Sequence, residues 1–257
     1  MQKRPEPKNF EVLSAQQLTP HMRRVSIGGE AIRTFPQAQD GGYVKLMIPG
    51  SNAADPPSVR TFTIRRQKPD GLDIDFALHG GANDGGPGMA WARGAAPGDE
   101  IRVGGPGPAK ILPPGADSYL VLGDMTALPA ISVNLAALAD DAIGYVLIEI
   151  QNEADKQDIK HPEGIEVRWV VNSDPGQRPE IFEQAVRSVG WVEGRIYAWS
   201  ATEFNVMKRM RRYLREERGL GSDQLYISSY WKHGLVEDQH REAKSADSEH
   251  HAASPAQ

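Results

Sequence analysis

The chain has 257 residues, 39% hydrophobic and 25% charged, with a formal net charge of −5. That suits two modest soluble domains rather than one large core, and the negative balance argues against a nucleic-acid-binding surface. There are no cysteines, which excludes disulfides, thiolate metal sites and cysteine-ligated iron–sulfur clusters, so any redox chemistry must run on a bound organic cofactor.

The first part reads as antiparallel β. Met22 to Ile27, Tyr43 to Ile48, Arg60 to Arg65 and Leu72 to Leu78 are strand-like. In the last of these Leu72, Ile74, Phe76 and Leu78 alternate with Asp73, Asp75 and Ala77, a period of two. The turns between are rich in Gly, Pro, Asn and Asp, as strand connections should be. Many short strands suggest a small barrel or sandwich, with one helix near Met89. The pattern changes at Pro113-Pro114-Gly115-Ala116, which is read as a domain boundary. Beyond it apolar strands at Tyr119 to Leu122, Gly144 to Ile150, Val167 to Val171, Arg195 to Trp199 and Leu225 to Ser228 alternate with helices at Ala127 to Leu138, Glu180 to Val189 and Glu203 to Arg218. Strands interleaved with helices imply a parallel sheet. The expected organisation is residues 1–114, a β-barrel domain, then 115–235, an α/β domain, then a charged tail, 236–257. Glu237 to Ala246 is expected to form a surface helix, with disorder over about the last ten residues.

The segment Arg60-Thr61-Phe62-Thr63-Ile64-Arg65 carries the most chemistry. Alternation puts Arg60, Phe62 and Ile64 on one face and Thr61, Thr63 and Arg65 on the other. This offers a cation for phosphate, a ring for stacking and a hydroxyl for a heterocycle nitrogen. Next comes a glycine-dense run from His79-Gly80 through Gly85-Gly86-Pro87-Gly88, whose backbone N–H groups can turn toward an anion. Met89-Ala90-Trp91-Ala92-Arg93 then starts a helix, with its positive end toward the same place. Taken alone, the strand reads as an edge strand with solvated charges, and His79 as a capping or structural histidine.

These motifs resemble the siderophore-interacting proteins, FAD-containing ferric-siderophore reductases of the ferredoxin-NADP reductase superfamily. The resemblance runs through Arg-x-Phe-Thr-x-Arg, Asp75-Phe76-Ala77-Leu78-His79-Gly80, Gly86-Pro87-Gly88-Met89-Ala90-Trp91-Ala92 and Pro97-Gly98-Asp99-Glu100. It continues through Leu122-Gly123-Asp124-Met125-Thr126-Ala127-Leu128-Pro129, Ala198-Trp199-Ser200-Ala201-Thr202-Glu203 and Ser229-Tyr230-Trp231-Lys232-His233-Gly234, over roughly residues 8 to 235. It implies a barrel that binds FAD through Arg60, Thr61, Phe62, Thr63, Asp75, Ala77, His79, Gly86, Pro87, Gly88, Met89 and Ala90. Arg60 would meet the phosphates, Phe62 pack on the flavin, Thr63 bond near its reactive nitrogen and His79 lie beside the ring. The family usually has Tyr where Phe62 stands, and Ala and Ser where Gly88 and Met89 stand. Trp91 reads as core packing, with an adenine-side contact as the alternative.

The second domain has no G-x-G-x-x-G after Leu122 and no P-loop. Its strand ends nevertheless form a ligand crevice, and the resemblance implies an NADH or NADPH site at Asp124, Thr126, Ser200 and Glu203. Ser200-x-x-Glu203 also fits a capping box. Met125 and Thr202 depart from the family's Glu and Gly. Lys208, Arg209, Arg211, Arg212, Arg215 and Arg218 form either a solvated basic face or a docking face for a 2′-phosphate or an acidic ferredoxin. For a ferric siderophore the candidates are Lys45 and Lys232, with Arg241 and Lys244 on the tail. The seven histidines show no metal-ligand spacing, so no resident metal is expected, and no serine sits in a nucleophile elbow. Met1-Gln2-Lys3-Arg4-Pro5-Glu6 lacks an apolar signal core, and no run nears the roughly 20 apolar residues of a bilayer span. A cytoplasmic protein without membrane insertion is expected. The expected activity is FAD-dependent reduction of ferric siderophores. The alternatives are another flavin reductase of the superfamily or a non-catalytic chelate carrier.

Overall fold

The computed structural model describes residues 6–50, 55–79, 86–235, 239–240 and 242–247. Six strands, β1 (Lys8–Thr19), β2 (Met22–Gly28), β3 (Tyr43–Ile48), β4 (Ser58–Lys68), β5 (Gly71–Ala77) and β6 (Glu100–Gly107), close into an antiparallel barrel in the order β1-β2-β5-β4-β3-β6. Helix α1 (Gly86–Gly94) lies between β5 and β6 in the chain. Five further strands, β7 (Ser118–Asp124), β8 (Gly144–Ile150), β9 (Ile165–Val171), β10 (Ile196–Glu203) and β11 (Leu225–Trp231), form a parallel sheet ordered β11-β10-β7-β8-β9. Helices α2 (Leu128–Ala136), α3 (Pro179–Arg187) and α4 (Phe204–Arg211) alternate with these strands. The two-part architecture, antiparallel barrel then α/β sheet, is the one anticipated from the periodicity. Strands β1 and β6 were not singled out by it, because β1 is solvent-facing over most of its length and β6 is rich in Gly.

The barrel core is aliphatic and aromatic. Val25, Ile27, Val44, Leu46, Ile64, Leu72, Ile74 and Phe76 expose nothing. Phe76 is central, with ring centroids 4.4 Å from Phe62 and 5.7 Å from Trp91. Trp91 is thus a packing residue of α1, as its reading proposed. The parallel sheet has its own core, in which Leu122, Leu147, Phe182, Val186, Met210 and Leu214 are fully buried.

The chain divides into two compact units, Met1–Pro114 with Leu128–Asp141 and Asn152–Glu163, and Gly115–Ala127 with Ala142–Gln151 and Gly164–Gln257. Helix α2 therefore belongs with the barrel. Asn134 fixes it there, its Oδ1 accepting from Leu112 N at 2.7 Å and its Nδ2 donating to Lys110 O at 3.1 Å. The segment after β8 is fastened by Asp155, which is fully buried. Its carboxylate accepts from Thr19 Oγ1 at 2.8 Å, from His21 N at 2.9 Å and from Asn152 N at 3.0 Å, and meets His21 Nδ1 at 2.7 Å.

The tail turns at residues 239–240 and 242–247 are helical but not purely superficial. His240 is buried against Ser229 and edge-on to Phe204. Lys244 donates to Ser228 Oγ at 2.7 Å, and Asp247 pairs with Arg211 at 2.6 Å. Burial against edge strand β11 pushes the His240 imidazole down to about 4.

Two changes test this packing by urea unfolding. Phe76→Ala removes the ring joining β4, β5 and α1 and is expected to cost about 3–5 kcal/mol. Asp155→Ala strands several buried donors and is expected to cost about 2–4 kcal/mol. A loss under about 0.5 kcal/mol in either would contradict the packing described.

Candidate functional site

In the barrel, β4 lies between β3 and β5. Its register with β3 sets Leu46 opposite Arg60, Lys45 opposite Thr61, Val44 opposite Phe62 and Tyr43 opposite Thr63. Side chains alternate across the strand, so Tyr43, Lys45, Thr61 and Thr63 share one face. Phe62 turns the other way, onto the edge of the core.

Helix α1 is seated against that second face. A Cβ built on Gly88 would stand 3.2 Å from Phe62 Cζ and 3.5 Å from Arg60 Cγ. Gly86, the first residue of the helix, has φ 67°, a left-handed conformation that favours glycine. The first-turn N–H groups of Gly86 and Gly88 have no intrahelical acceptor, and Pro87 has no N–H to satisfy. The first turn carries no acidic residue. At the far end Arg23 Nε donates to Ala92 O at 2.7 Å, matching a cation to the helix's negative end. The positive end is left beside the stem of Arg60. A helix N-terminus beside an arginine favours an anion, so the residues present fit the pyrophosphate of FAD; the Arg60 guanidinium itself donates from Nη1 to Val59 O at 2.8 Å.

His79 N–H donates to Met89 Sδ at 3.2 Å, and Met89 is buried in the barrel core. Its side chain therefore points inward, while Ala90 is exposed on the same helix. Ala77 closes β5 opposite Met22. Asp75, on that strand's outer face, is held by Arg24 in a bidentate pair at 2.6 and 2.8 Å. Its carboxylate is thereby spent on a neighbouring strand. Residues Gly80 to Gly85 of the glycine run lie outside the described residues.

The proposed substrate lysines fall in different units. Lys45 stands in the barrel opposite Thr61. Lys232 follows β11, with its ammonium 4.5 Å from the centre of the Phe204 ring. Lys244 is half-buried under its hydrogen bonds to Ser228 and Ser229, and Arg241 lies outside the described residues.

In the second unit the carboxyl ends of neighbouring strands carry a row of buried acids. Asp124 ends β7, its register partner Glu149 lies on β8, and Glu203 ends β10. Asp124 accepts from Thr126 N at 2.9 Å, Thr126 Oγ1 at 2.5 Å and Trp231 Nε1 at 2.8 Å. Glu203 caps α4, accepting from Asn205 N and from Val206 N at 3.2 Å, and takes His233 N at 3.2 Å. The cap is Glu203 itself and Ser200 is inside β10, so the Ser200–Glu203 capping box does not form. Ser200 Oγ is buried without a hydrogen-bond partner. Burial raises all three carboxyls. Glu149 is pushed up to about 7, aided by the charges of Asp124 and Glu203 and opposed by the Asn172 amide at 2.9 Å. Sequence reasoning missed Glu149, because one Glu in an apolar strand carries no motif.

The basic helix covers nearly the expected range, with α4 continuing as a π-helical stretch over Arg212–Glu217. Most of its cations are engaged within the unit. Arg209 meets Glu183 at 2.6 Å, Arg212 meets Glu183 at 3.3 Å, Arg211 pairs with Asp247, and Arg218 stacks 4.5 Å from the centre of Trp191. Among the described residues no group of three or more His, Cys, Asp or Glu could hold a metal ion, and no helix is long and apolar enough to cross a membrane.

A group that binds its proton more tightly when folded stabilises the fold at low pH. The Glu149 value therefore predicts that stability falls as pH rises from about 4.5 to about 7, by about 1–3 kcal/mol. Urea unfolding at pH 5 and pH 8 measures the fall. Glu149→Gln should flatten it, and an unchanged slope would contradict the assignment.

Residues 116–234 match the siderophore-interacting protein family, and residues 11–56 and 51–110 match the siderophore-interacting FAD-binding domain. The ferric vibriobactin reductase ViuB of Vibrio cholerae is 31% identical over 259 residues, covering 93% of this chain and 94% of its own. The crystal structure of the siderophore-interacting protein SipS from Aeromonas hydrophila superposes with a TM-score of 0.84 at 33% identity, covering 95% of this chain and 98% of that one. A siderophore utilization protein from T. fusca gives a TM-score of 0.80 at 29% identity, covering 91% of this chain and 96% of that one. On these matches and the fold beneath them, the chain belongs to the siderophore-interacting protein family, flavoproteins whose cofactor is FAD.

Proposed function

We propose that this chain is an FAD-dependent reductase of ferric siderophores, releasing iron as Fe(II) in the bacterial cytoplasm. One observation carries the reading. The first turn of α1 and the stem of Arg60 meet across Gly88, on a strand whose opposite face sets Lys45 against Thr61. The near full-length likeness to a protein named ferric vibriobactin reductase supports it. Residues 1–114 then form the FAD-binding domain, 115–235 a nucleotide-binding-like domain, and 236–257 a tail.

In this reading α1 and Arg60 hold the pyrophosphate, Phe62 packs on the flavin, Thr63 hydrogen-bonds near its reactive nitrogen, and Thr61, Ala77 and His79 complete the wall. Asp75 contributes through the Arg24 pair, which stiffens β5 beside the site. FAD, when bound, supplies the conversion of a two-electron donation into one-electron reductions of Fe(III). No general acid or base is needed, because an electron transfer requires proximity. The positive charge of Lys45 draws an anionic chelate toward the barrel, and Lys232, in the other unit, is a separate candidate for the same attraction. Fe(II) then binds a hard oxygen-donor chelator less tightly and leaves.

The electron donor is a reduced nicotinamide nucleotide, NADH or NADPH, or a reduced ferredoxin. The nucleotide would sit at the strand ends around Asp124, Thr126, Ser200 and Glu203, where the buried Ser200 hydroxyl offers an unspent hydrogen bond.

Two experiments test the reading. In anaerobic stopped flow the flavin should be reduced by at least one of NADH, NADPH or ferredoxin, then reoxidised by ferric chelates with Fe(II) caught in a trap. Photoreduced protein that no ferric chelate reoxidises would overturn the reductase assignment. Arg60→Ala should fold normally yet bind FAD about 10–100-fold more weakly, the worth of one charged hydrogen bond. Full flavin occupancy in that variant would contradict the placement of the phosphates.

A further inference from the structure

Arg65 is a cation that the barrel leaves unspent. It is the extra residue of a β-bulge, since β4 advances from Ile64 to Arg66 while β5 steps only from Ile74 to Asp73. Bulges re-aim side chains and recur beside active sites. Alternation along β4 places Arg65 on the face that also carries Thr61 and Thr63. The side chain is half-buried, and among the described residues its guanidinium makes no hydrogen bond or ion pair. The charges that reach it are those of Asp75, Arg24, Asp40 and Arg66. Asp75 is already held by both arms of Arg24, and Asp40 accepts from Gln67 N at 2.6 Å. Loss of water lowers the Arg65 pKa, so the charged form is held there at a cost. A guanidinium kept partly dry beside Arg24 and Arg66 has five donors still to satisfy. The core beneath it is already closed by Ile64 on β4 and Phe76 on β5, so packing of the barrel does not account for it.

We propose that Arg65 is the cation that neutralises the pyrimidine edge of the flavin when FAD at this site is reduced. This rests on the FAD site described above. The oxidised ring is neutral. Uptake of two electrons and one proton from the donor leaves one negative charge, delocalised over N1 and the C2 carbonyl oxygen. A planar guanidinium matches such an edge with paired N–H donors. Because the interaction is far stronger with the anion than with the neutral ring, Arg65 raises the reduction potential more than it raises FAD affinity. Arg65 is then a residue that sets how readily the flavin accepts electrons, while Arg60 determines whether FAD is held.

The test is the two-electron midpoint potential of the full chain loaded with FAD, measured by dye equilibration for wild type, Arg65→Ala, Arg65→Gln and Arg65→Lys. Arg65→Ala is expected to keep FAD and to weaken the preference for the reduced form at least tenfold, which is about 30 mV more negative. Arg65→Gln should resemble it and Arg65→Lys should recover most of the shift, with thermal unfolding unchanged in all three. If the Ala variant sheds its flavin, the Gln variant is read in its place. A flavin-loaded Ala or Gln variant with the wild-type potential overturns the proposal and leaves the reductase reading standing. A wild-type chain that takes up no FAD overturns both.

Discussion

The barrel's candidate site depends on how closely one helix lies on one strand. Because position 88 has no Cβ, the first turn of α1 lies directly on Phe62 and on the stem of Arg60. That contact brings the positive end of a helix to the stem of Arg60, and Arg23 holds the helix from its other end. The aromatic stack of Phe62, Phe76 and Trp91 then fixes strand and helix as one body. A Cβ at position 88 would stand 3.2 Å from Phe62 Cζ, so the Phe62 ring would have to shift slightly to admit one. In the proposed reading, the cofactor's affinity would come from backbone and packing as much as from charged side chains.

The two units handle charge in opposite ways. Among the described residues, the barrel's Lys45 and Arg65 make no hydrogen bond or ion pair. The parallel sheet instead spends its helix-terminal N–H groups on its own carboxylates, Asp124 on Thr126 and Glu203 on Asn205 and Val206. Rossmann-type sites offer those N–H groups to a nucleotide pyrophosphate. Here a nucleotide would have to bind through other contacts, with Ser200 the clearest offer. The row of raised carboxyls makes the stability of this unit depend on pH.

Much of this was legible in the residue order, for identifiable reasons. Strict alternation in Leu72 to Leu78 and the apolar runs from Tyr119 onward are local signals, and they announced a barrel followed by a parallel sheet. The Arg60 to Arg65 motif and Gly86 to Met89 pointed to an anion and a flat ring. What escaped is long-range. Nothing local says that Lys45 faces Thr61, since register is a property of the closed barrel. Nothing marks Asp155 as the fastening of a distant hairpin, or assigns α2 to the barrel rather than to its own sheet. Glu149 looked like an ordinary strand residue until its neighbours across β7 and β10 were placed. Arg65 stood inside the motif, but its special position comes from a bulge that only the pairing with β5 reveals.

The central claim is that the pyrophosphate, not the ring, anchors the cofactor, through α1 and Arg60. The direct measurement is the affinity of flavin-stripped protein for FAD and for riboflavin, followed by fluorescence quenching over a range of salt. Two charged contacts of ordinary strength predict FAD binding tighter by about 10²–10⁴-fold, with the gap narrowing as salt rises. Equal affinities for the two flavins, or a gap indifferent to salt, would contradict the account.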